Sequence, residues 1–495
     1  MDAGQTGDPS LSNDRSIFKS PNLARCLIAH AIPMATSRTE PHSNPAVLGL
    51  IGNTPLLELT RLDSGGCRLF VKLESRNPGG SIKDRIALSM IAAAEQDGRL
   101  RPGGTVIEAT AGNTGLGLAL VARAKGFRVV LVIPDKMSAE KVLHLKALGA
   151  EIRMTRSDVI KGHPAYYQDM AARLAAETPG AFYVNQFANP ANPLAHERTT
   201  SPEIWAQMEH SVDAVVCGVG SGGTLTGLSR YFAQVSPQTE MVLADPVGSV
   251  LAPYVRTGRL EEAGSWVVEG IGEDFIPPIA DLSRVKKAYS IPDQESLDTA
   301  RELLRAELIL GGSSAGTLVA AALRYCREQQ APKRVVTFVP DTGSKYLSKM
   351  YNDAWMIDQG FIALERRGDL RDLVSRRYDS GAVVSVGRDD TLSTAFQRMR
   401  ASDVSQLPVL SGDAVVGILD ESDLLLHVLK EPERFADKVE AAMTQRLETL
   451  APDAGLPELL RILNQGRVAI IVDDGRLFGL VTRYDLLSYL RRSLP

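Results

Sequence analysis

The chain has 495 residues, of which 44% are hydrophobic and 23% charged, and this composition is typical of a globular protein with about two to four domains. Its 55 basic and 59 acidic residues are interspersed and give a net charge of −4, which argues against a nucleic-acid-binding surface. The four cysteines form no CxxC pair, so the sequence predicts neither disulfides nor a zinc site and favours a reducing, cytoplasmic environment. Since no apolar run reaches the roughly 18 residues of a membrane-spanning helix, we expect no contact with a membrane.

Residues 1–45 are polar and aperiodic, and we predict that they form a disordered N-terminal extension. The run from Cys26 to Ala35 loosely resembles a signal peptide, but His30 and Pro33 interrupt its apolar centre. Both Met1 and Met34 stand as candidate starts of translation.

From residue 46 to residue 355, apolar runs of strand length alternate with helical segments. This alternation indicates a mostly parallel sheet with helices on both faces. Six runs are predicted as strands, namely 69–73, 105–108, 128–133, 214–217, 241–244 and 334–339, and three segments as helices, namely 115–125, 138–148 and 225–234. Such sheets bind ligands at the carboxyl ends of their strands, where the polar motifs of this chain also lie.

The first motif, Gly79-Gly80-Ser81-Ile82-Lys83-Asp84-Arg85, turns the backbone immediately before a helical run. A lysine at such a turn can point inward, and burial makes its amine neutral and nucleophilic more easily. That is the condition for an imine with an aldehyde cofactor, although most lysines near a helix start are solvated.

Two later motifs precede helices and suit anions. Thr110-Ala111-Gly112-Asn113-Thr114-Gly115 offers backbone N–H groups to a carboxylate, or simply caps its helix. Gly218-Val219-Gly220-Ser221-Gly222-Gly223-Thr224 suits a terminal phosphate, but it also matches the G-x-G-x-x-G fingerprint of dinucleotide-binding proteins, with Asp245 about 20 residues further on. On this motif alone, a dehydrogenase and a phosphate-binding enzyme of another kind are equally supported.

The stretch Gly311-Gly312-Ser313-Ser314-Ala315-Gly316 precedes an alanine-rich helix. One of its hydroxyls could donate to a heterocyclic nitrogen or could serve as a helix cap. A neutral serine facing a pyridine nitrogen would favour β-elimination over transamination.

Residues 356–372 carry a charged run and are predicted to be a linker. Beyond them, the segment 417–425 matches the segment 479–487, each after an apolar strand and a short turn. This period of about 62 residues is too long for a solenoid and predicts two small domains, 373–432 and 433–495.

Together, the four motifs resemble those of the pyridoxal-phosphate enzymes of the tryptophan-synthase-β fold, in the expected order over residues 46–355. Within that superfamily the chain is most similar to the cystathionine β-synthase family, through the segments 136–141, 192–196, 244–249 and 269–277. The C-terminal repeat resembles a pair of CBS domains. The resemblance implies a fold-type II α/β enzyme, with two three-layer subdomains of mostly parallel sheets, plus an α+β CBS module. It also accounts for Asp245 without a dinucleotide.

The activity implied by the resemblance is a lyase reaction that condenses L-serine with L-homocysteine to L-cystathionine and water, in a homodimer or larger oligomer. One alternative is a cysteine synthase that uses O-acetylserine and sulfide. An alternative of another class is an adenosyl-ligand sensor whose enzyme domain is vestigial.

The resemblance also implies residue roles. Lys83 would bind pyridoxal 5′-phosphate and move the α-proton, Asn113 would contact the cofactor's 3′-oxygen, and Ser314 would face the pyridine nitrogen, with Ser313 as a one-residue alternative. The residues implied to hold the cofactor phosphate are Gly220, Ser221, Gly222, Gly223 and Thr224. Those implied to hold the amino acid substrate are Thr110, Gly112, Thr114, Gln186 and Gly270.

Three positions depart from the family. Ala111 replaces a common serine, and Phe187 and Glu273 stand where animal enzymes carry tyrosines, which leaves the second substrate open. Cys26, His30 and His42 match no haem motif, so neither haem nor a metal is expected.

The second repeat keeps the adenosyl-binding pattern as Thr482 and Asp485, which makes them candidate effector ligands. The first repeat has Asp420 in the hydroxyl position, and this carboxylate would repel a phosphate. S-adenosylmethionine is therefore favoured over ATP, and a module without a ligand is equally compatible.

Overall fold

The computed structural model describes residues 46–110, 112–135, 139–156, 158–159, 162–363, 367–374, 376–429 and 431–493. The predicted N-terminal extension, with Cys26, His30 and His42, lies outside these ranges, and so does Ala111. No helix within the described ranges is long and apolar enough to cross a membrane.

Ten strands build the first part of the chain. They are β1 (Leu56–Leu59), β2 (Arg68–Leu73), β3 (Thr105–Ala109), β4 (Arg128–Pro134), β5 (Glu151–Thr155), β6 (Ala181–Tyr183), β7 (Ala214–Gly218), β8 (Glu240–Pro246), β9 (Val285–Ile291) and β10 (Arg334–Val339). A six-stranded sheet has the order β1-β2-β10-β7-β8-β9, and a four-stranded sheet has the order β5-β4-β3-β6. All neighbours are parallel except β1 and β2. The prediction of a mostly parallel α/β fold is confirmed.

Helices cover both sheets. They are α1 (Lys83–Gln96), α2 (Asn113–Ala124), α3 (Ala139–Ala147), α4 (Tyr167–Glu177), α5 (Ala191–Ala195), α6 (Ser201–Gln207), α7 (Gly223–Val235), α8 (Leu251–Thr257), α9 (Asp293–Glu307), α10 (Ser313–Arg327) and α11 (Asp353–Asp358). In β4, Val129 and Leu131 pack in the core beneath α1 and α2, whereas Val130 and Val132 pack with residues of α4. Both faces of the strand are therefore apolar, which is why it reads as a continuous hydrophobic run.

Two small three-stranded sheets follow, one in each repeat. The first contains β11 (Val386–Gly387), β12 (Gln406–Ser411) and β13 (Ala414–Asp420), and the second contains β14 (Thr449–Leu450), β15 (Ala469–Asp473) and β16 (Arg476–Val481). Their helices are α12 (Leu392–Ser402), α13 (Glu421–Val428), α14 (Leu456–Asn464) and α15 (Arg483–Ser493). Leu410 of the first repeat packs with Ile470 and Leu477 of the second, so the repeats share a core.

The predicted linker is wrong at its C-terminal end. Residues Leu370–Leu373 form a 3₁₀ turn, and Leu370 and Leu373 are buried with Leu459 and Ile462 of the second repeat. The chain then runs antiparallel beside β16, where Tyr378 N–H donates to the carbonyl of Phe478. The sequence pattern does not indicate this packing, because the apolar residues within the charged run are few and widely spaced.

Segments that pair with the edge strands also explain the repeated glycines. Arg377 forms an antiparallel bridge with Gly479 of β16, and Thr444 forms one with Ile418 of β13. A Cβ on Gly479 would lie 2.3 Å from Val374, and a Cβ on Gly417 would lie 2.6 Å from Met443. Each glycine therefore gives room for a segment that approaches the edge strand of its repeat closely.

Candidate active site

Lys83 is the first residue of α1, directly after the double-glycine turn. Gly80 has a φ of +74°, and a Cβ on Gly79 would overlap the carboxylate of Asp84, which accepts the Gly79 N–H. The turn therefore requires both glycines. It is further held by the hydroxyl of Ser81, which accepts the N–H of Lys83 at 3.2 Å.

The remaining accessible surface of Lys83 faces a cavity of about 690 Å³. Burial lowers the pKa of its amine, and the nearby Cys217, Glu273 and Asp341 oppose this shift in part. The sequence expectation of an inward-pointing lysine is thus met in the geometry. A larger share of neutral amine makes Lys83 a better nucleophile and base.

The cavity brings together most of the residues singled out from the sequence. Besides Lys83 it is lined by Thr110, Gly112, Asn113, Thr114, Gln186, Gly220, Ser221 and Gly270. An adjoining recess behind Lys83 adds Gly222, Thr224 and Ser314. Both sheets contribute, because residues 110–114, Gln186 and residues 220–224 follow the carboxyl ends of β3, β6 and β7.

The loop before α7 forms a cradle for an anion. Gly222 has a φ of +89°, and a Cβ on Gly220 would lie 2.6 Å from the carbonyl of Gly270. Gly223 points away from the recess, and a Cβ there would lie 1.9 Å from Asn192 Oδ1. Helix starts leave backbone N–H groups without intrahelical acceptors, so this loop suits a phosphate.

Asp245, the residue that suggested a dinucleotide, has a local role. It is fully buried, and its Oδ2 accepts the N–H of Ala252 at the start of α8. Burial raises its pKa to about 6 despite this bond.

The two adjoining serines are placed differently. The Ser314 side chain lies in the recess, with only 4% of its surface exposed. The Ser313 hydroxyl accepts the N–H of Glu269 at 3.0 Å. The recess therefore presents a neutral Ser314 hydroxyl, and no carboxylate is among its lining residues.

The residues expected to hold the amino acid form a linked group. Thr114 Oγ1 donates to Gln186 Oε1 at 2.7 Å, and Gly112 N–H donates to Thr110 Oγ1 at 3.2 Å. Beneath them, the buried Glu108 accepts the N–H of Gln186, and burial raises the pKa of Glu108 to about 8. The start of α2 adds N–H donors, so this corner suits a carboxylate.

Asn113 lies between charged groups that the sequence analysis missed. Its Oδ1 accepts from Lys345 Nζ at 2.6 Å, and its Nδ2 donates to Asp341 Oδ2 at 2.8 Å. Both partners belong to Asp341-Thr342-Gly343-Ser344-Lys345, a polar motif that directly follows β10. Its position after a strand and its glycine were the signal that could have identified it.

A carboxylate in the cavity wall bridges two lysines. Glu269 pairs with Lys141 of α3 and with Lys349, the latter at 2.7 Å. Burial raises the pKa of Glu269, but the two ammonium groups outweigh it and the net shift is downward. Glu269 stays ionised and ties the helix layer of the smaller sheet to the loop after β8.

A second cavity, of about 780 Å³, contains the residues of the repeat motif. Thr482 and Asp485 line it together with Asn352 and Trp355 from the region around α11. Thr482 Oγ1 donates to Asp485 Oδ2 at 2.6 Å.

Asp420, at the matching position of the first repeat, is a helix cap. Its carboxylate accepts the N–H of Asp423 at 2.8 Å in a reciprocal capping box. Thr482 caps α15 in the same reciprocal way, since its Oγ1 accepts the N–H of Asp485 at 3.2 Å and Asp485 Oδ2 accepts the N–H of Thr482 at 2.8 Å. The two repeats therefore differ only in the capping group, which is a carboxylate in the first and a hydroxyl in the second.

The fold and this cavity define an enzyme class. The family model described as pyridoxal-phosphate dependent enzyme matches residues 47–341, and the CBS domain model matches residues 370–430 and 439–492. The chain belongs to the pyridoxal-phosphate dependent enzyme family and carries a pair of CBS domains.

Some curated relatives match about nine-tenths of the chain, and another matches three-fifths of it. Cystathionine β-synthase of Apis mellifera is 35% identical over 91% of this chain and 91% of its own length, and that of Mus musculus is 35% identical over 94% and 85%. Cysteine synthase A of Escherichia coli is 41% identical over 60% of this chain and 92% of its own length. The resemblance to the cystathionine β-synthase family is confirmed.

Two solved structures match about three-fifths of the chain. A hydrogen sulfide-producing enzyme from Fusobacterium nucleatum superposes with a TM-score of 0.57 at 35% identity, over 62% of this chain and 100% of its own. O-ureido-L-serine synthase superposes with a TM-score of 0.57 at 34% identity, over 63% of this chain and 98% of its own.

The cavity fits pyridoxal phosphate, the cofactor of this family. The glycine-rich loop before α7, the inward-facing Lys83 and the neutral Ser314 hydroxyl in the recess can accommodate its phosphate, aldehyde and pyridine nitrogen respectively. The glycines of the loop before α7 leave space in the recess that side chains would otherwise fill.

Proposed function

We propose that this enzyme catalyses a β-replacement that condenses L-serine with L-homocysteine to L-cystathionine and water. The observation that carries the proposal is Lys83 facing a cavity whose other walls are an anion cradle, a carboxylate corner and the neutral Ser314. Similarity to cystathionine β-synthases over about nine-tenths of the chain supports the choice of substrates.

In this proposal, Lys83, Asn113, Ser314 and the loop 220–224 hold the cofactor. Bound pyridoxal phosphate supplies an electron sink for the bond that breaks at Cα. Thr110, Gly112, Thr114, Gln186 and Gly270 hold the amino acid and orient it toward Lys83. The Lys83 amine takes the proton from Cα and later returns it, a role that its lowered pKa suits.

Glu269 and Lys141 both line the cavity, and the ion pairs of Glu269 with Lys141 and Lys349 hold this part of its wall together.

We also propose a cytoplasmic homodimer or larger oligomer. Buried free thiols at Cys67, Cys217 and Cys326 support a reducing environment, and exposed leucines of α13 support association, which light scattering measures directly.

A product assay tests the main proposal. Purified protein with pyridoxal phosphate, serine and homocysteine should form cystathionine, identified by mass spectrometry. Its kcat/KM for homocysteine should exceed that for sulfide, because this ratio measures specificity. If sulfide with O-acetylserine were preferred by orders of magnitude, the enzyme would be a cysteine synthase instead.

For the repeats, we propose that the second cavity binds an adenosyl ligand without phosphate groups, such as S-adenosylmethionine. Thr482→Val and Asp485→Asn should each raise the Kd about tenfold, since each removes a hydrogen bond to the ribose. Asp420→Asn is the matched control and should leave the Kd unchanged, because asparagine also caps a helix. Calorimetry measures these constants, and absence of binding to the unaltered protein would assign the module a purely structural role.

A further inference from the structure

Glu273 is a second carboxyl in the active-site cavity, and its backbone is fixed. The N–H of Glu273 donates to Ser249 Oγ at 3.1 Å, and its carbonyl accepts from Ser249 Oγ at 3.2 Å and from Val250 N–H at 3.0 Å. The side chain lines the cavity together with Lys83 and Gly220, and a Cβ on Gly220 would lie 4.0 Å from Glu273 Oε1. A substrate held between Lys83 and the loop at Gly220 would therefore meet this carboxyl.

The surroundings of Glu273 favour the protonated acid. Burial, as the largest cause, and the charges of Asp274 and Asp245 together raise its pKa to about 8, and Lys83 opposes the shift. Tyr166 and Tyr167, near α4, also interact with its charge.

Glu269, four residues earlier on the same cavity wall, is ionised by two lysines, as described above. Two carboxyls of one site are thus held in opposite protonation states, which is the pattern of an acid beside a structural anion.

We propose that Glu273 is the catalytic acid that protonates the departing β-hydroxyl of serine. This inference rests on the proposed serine reaction. Hydroxide is a poor leaving group, so cleavage of the Cβ–O bond needs a proton donor within the cavity. Because Lys83 takes the α-proton at the same stage, a separate acid lets the Cα–H and Cβ–O bonds break together.

The proton balance closes over one turnover. In the first half, the Cα–H bond breaks toward Lys83, the Cβ–O bond breaks, and the Glu273 carboxylic acid gives its proton so that water leaves. In the second half, the homocysteine thiol gives its proton to the Glu273 carboxylate as the S–Cβ bond forms, and Lys83 returns its proton to Cα. The sum is serine plus homocysteine giving cystathionine plus water.

The experiment compares two donors whose leaving groups differ. With homocysteine as the nucleophile, Glu273→Gln should lower kcat for serine by about 100-fold or more, the usual contribution of a general acid. With O-acetylserine the loss should be far smaller, because acetate leaves without protonation. Glu269→Gln is the matched control: it breaks the bridge to Lys141 and Lys349 and should affect both donors alike.

Two further readouts separate an acid from a packing residue. With serine, kcat should fall as pH rises through about 8, and Asp274→Asn should move this fall to lower pH because it removes a like charge. Infrared difference spectra between pH 6 and pH 9 should lose one protonated-carboxyl component in the Glu273→Gln protein. This signal needs no turnover.

Equal losses with serine and O-acetylserine in Glu273→Gln would overturn the assignment, and so would a raised KM for homocysteine with unchanged kcat. If the unaltered enzyme makes cystathionine from serine, either result rejects only the role of Glu273. If the unaltered enzyme uses O-acetylserine but not serine, the proposed function falls together with this inference.

Discussion

Replacing Lys83 with alanine should abolish formation of cystathionine, with a loss of at least about 10⁴-fold in kcat. The change removes both the anchor of the cofactor and the base that moves the α-proton, and a general base alone contributes up to about 10⁴-fold. Borohydride reduction should fix the cofactor to the unaltered chain but not to the variant. The assay is the serine and homocysteine reaction followed by mass spectrometry.

Lys345→Ala is the matched control, since Lys345 is another lysine of the same cavity. It donates to Asn113 rather than facing the recess, so the variant should still be labelled on reduction. Ligand binding by residues 370–492 should be the same in all three proteins. Turnover at the normal rate in Lys83→Ala would remove Lys83 from the mechanism, and binding without turnover in the unaltered protein would favour a sensor.

Arg85→Leu should lower the free energy of unfolding of the catalytic region by about 3–5 kcal/mol. Arg85 lies two residues after Lys83 and is only 3% exposed. Its Nε donates to Glu74 at 2.8 Å, and its two terminal nitrogens donate to Glu203 at 2.7 Å. Without the guanidinium, the fully buried Glu74 would keep a charge without its partner.

Urea denaturation followed by tryptophan fluorescence measures this effect, and Arg68→Leu is its control. Arg68 forms a two-bond pair with Glu58 as well, but 56% of its side chain is exposed. Solvent screens such a pair, so the midpoint should move little. Equal shifts in both variants would show that burial does not decide the strength of the Arg85 cluster.

The ion-pair cluster of Arg85, Glu74, Glu203 and Lys72 also makes the stability of the fold depend on pH in acid. Burial raises the pKa of Glu203, but the hydrogen bond and charge of Arg85, together with Lys72, outweigh it and hold the pKa at about 2. A carboxyl with a depressed folded-state pKa stabilises the fold above its unfolded value near 4. This contribution is lost as pH falls from about 4 toward 2.

Local patterns were enough to predict the sheet and the main motifs. The six predicted strands are buried on both faces, so their apolar runs are continuous and easy to recognise. The strands that were missed, β1, β5, β6 and β9, are short or partly exposed, and β5 alternates with polar residues. The double-glycine turn made Lys83 a candidate, and the later motifs at 110–115, 218–224 and 311–316, in the expected order, turned the candidate into a prediction.

Pairings between distant residues could not be predicted in this way. Lys141 and Glu269 are 128 positions apart, and each alone looks like a solvated surface charge. The protonation state of Glu273 depends on its burial by surrounding loops, and no local sequence pattern indicates this burial. The same holds for Leu370, whose partners Leu459 and Ile462 lie in the last repeat.

The entry of the chain into the CBS pair has a practical consequence for dissecting the protein. The residues from 370 to 374 and from 376 to 378 precede the first repeat in the chain, but they pack against the second repeat. The order of the segments along the chain therefore differs from their order in space. A cut at residue 372 would leave Leu370 on the wrong fragment and open the core of the distant repeat. A fragment intended to fold alone should therefore begin no later than residue 367, whose N–H already donates to Asp372.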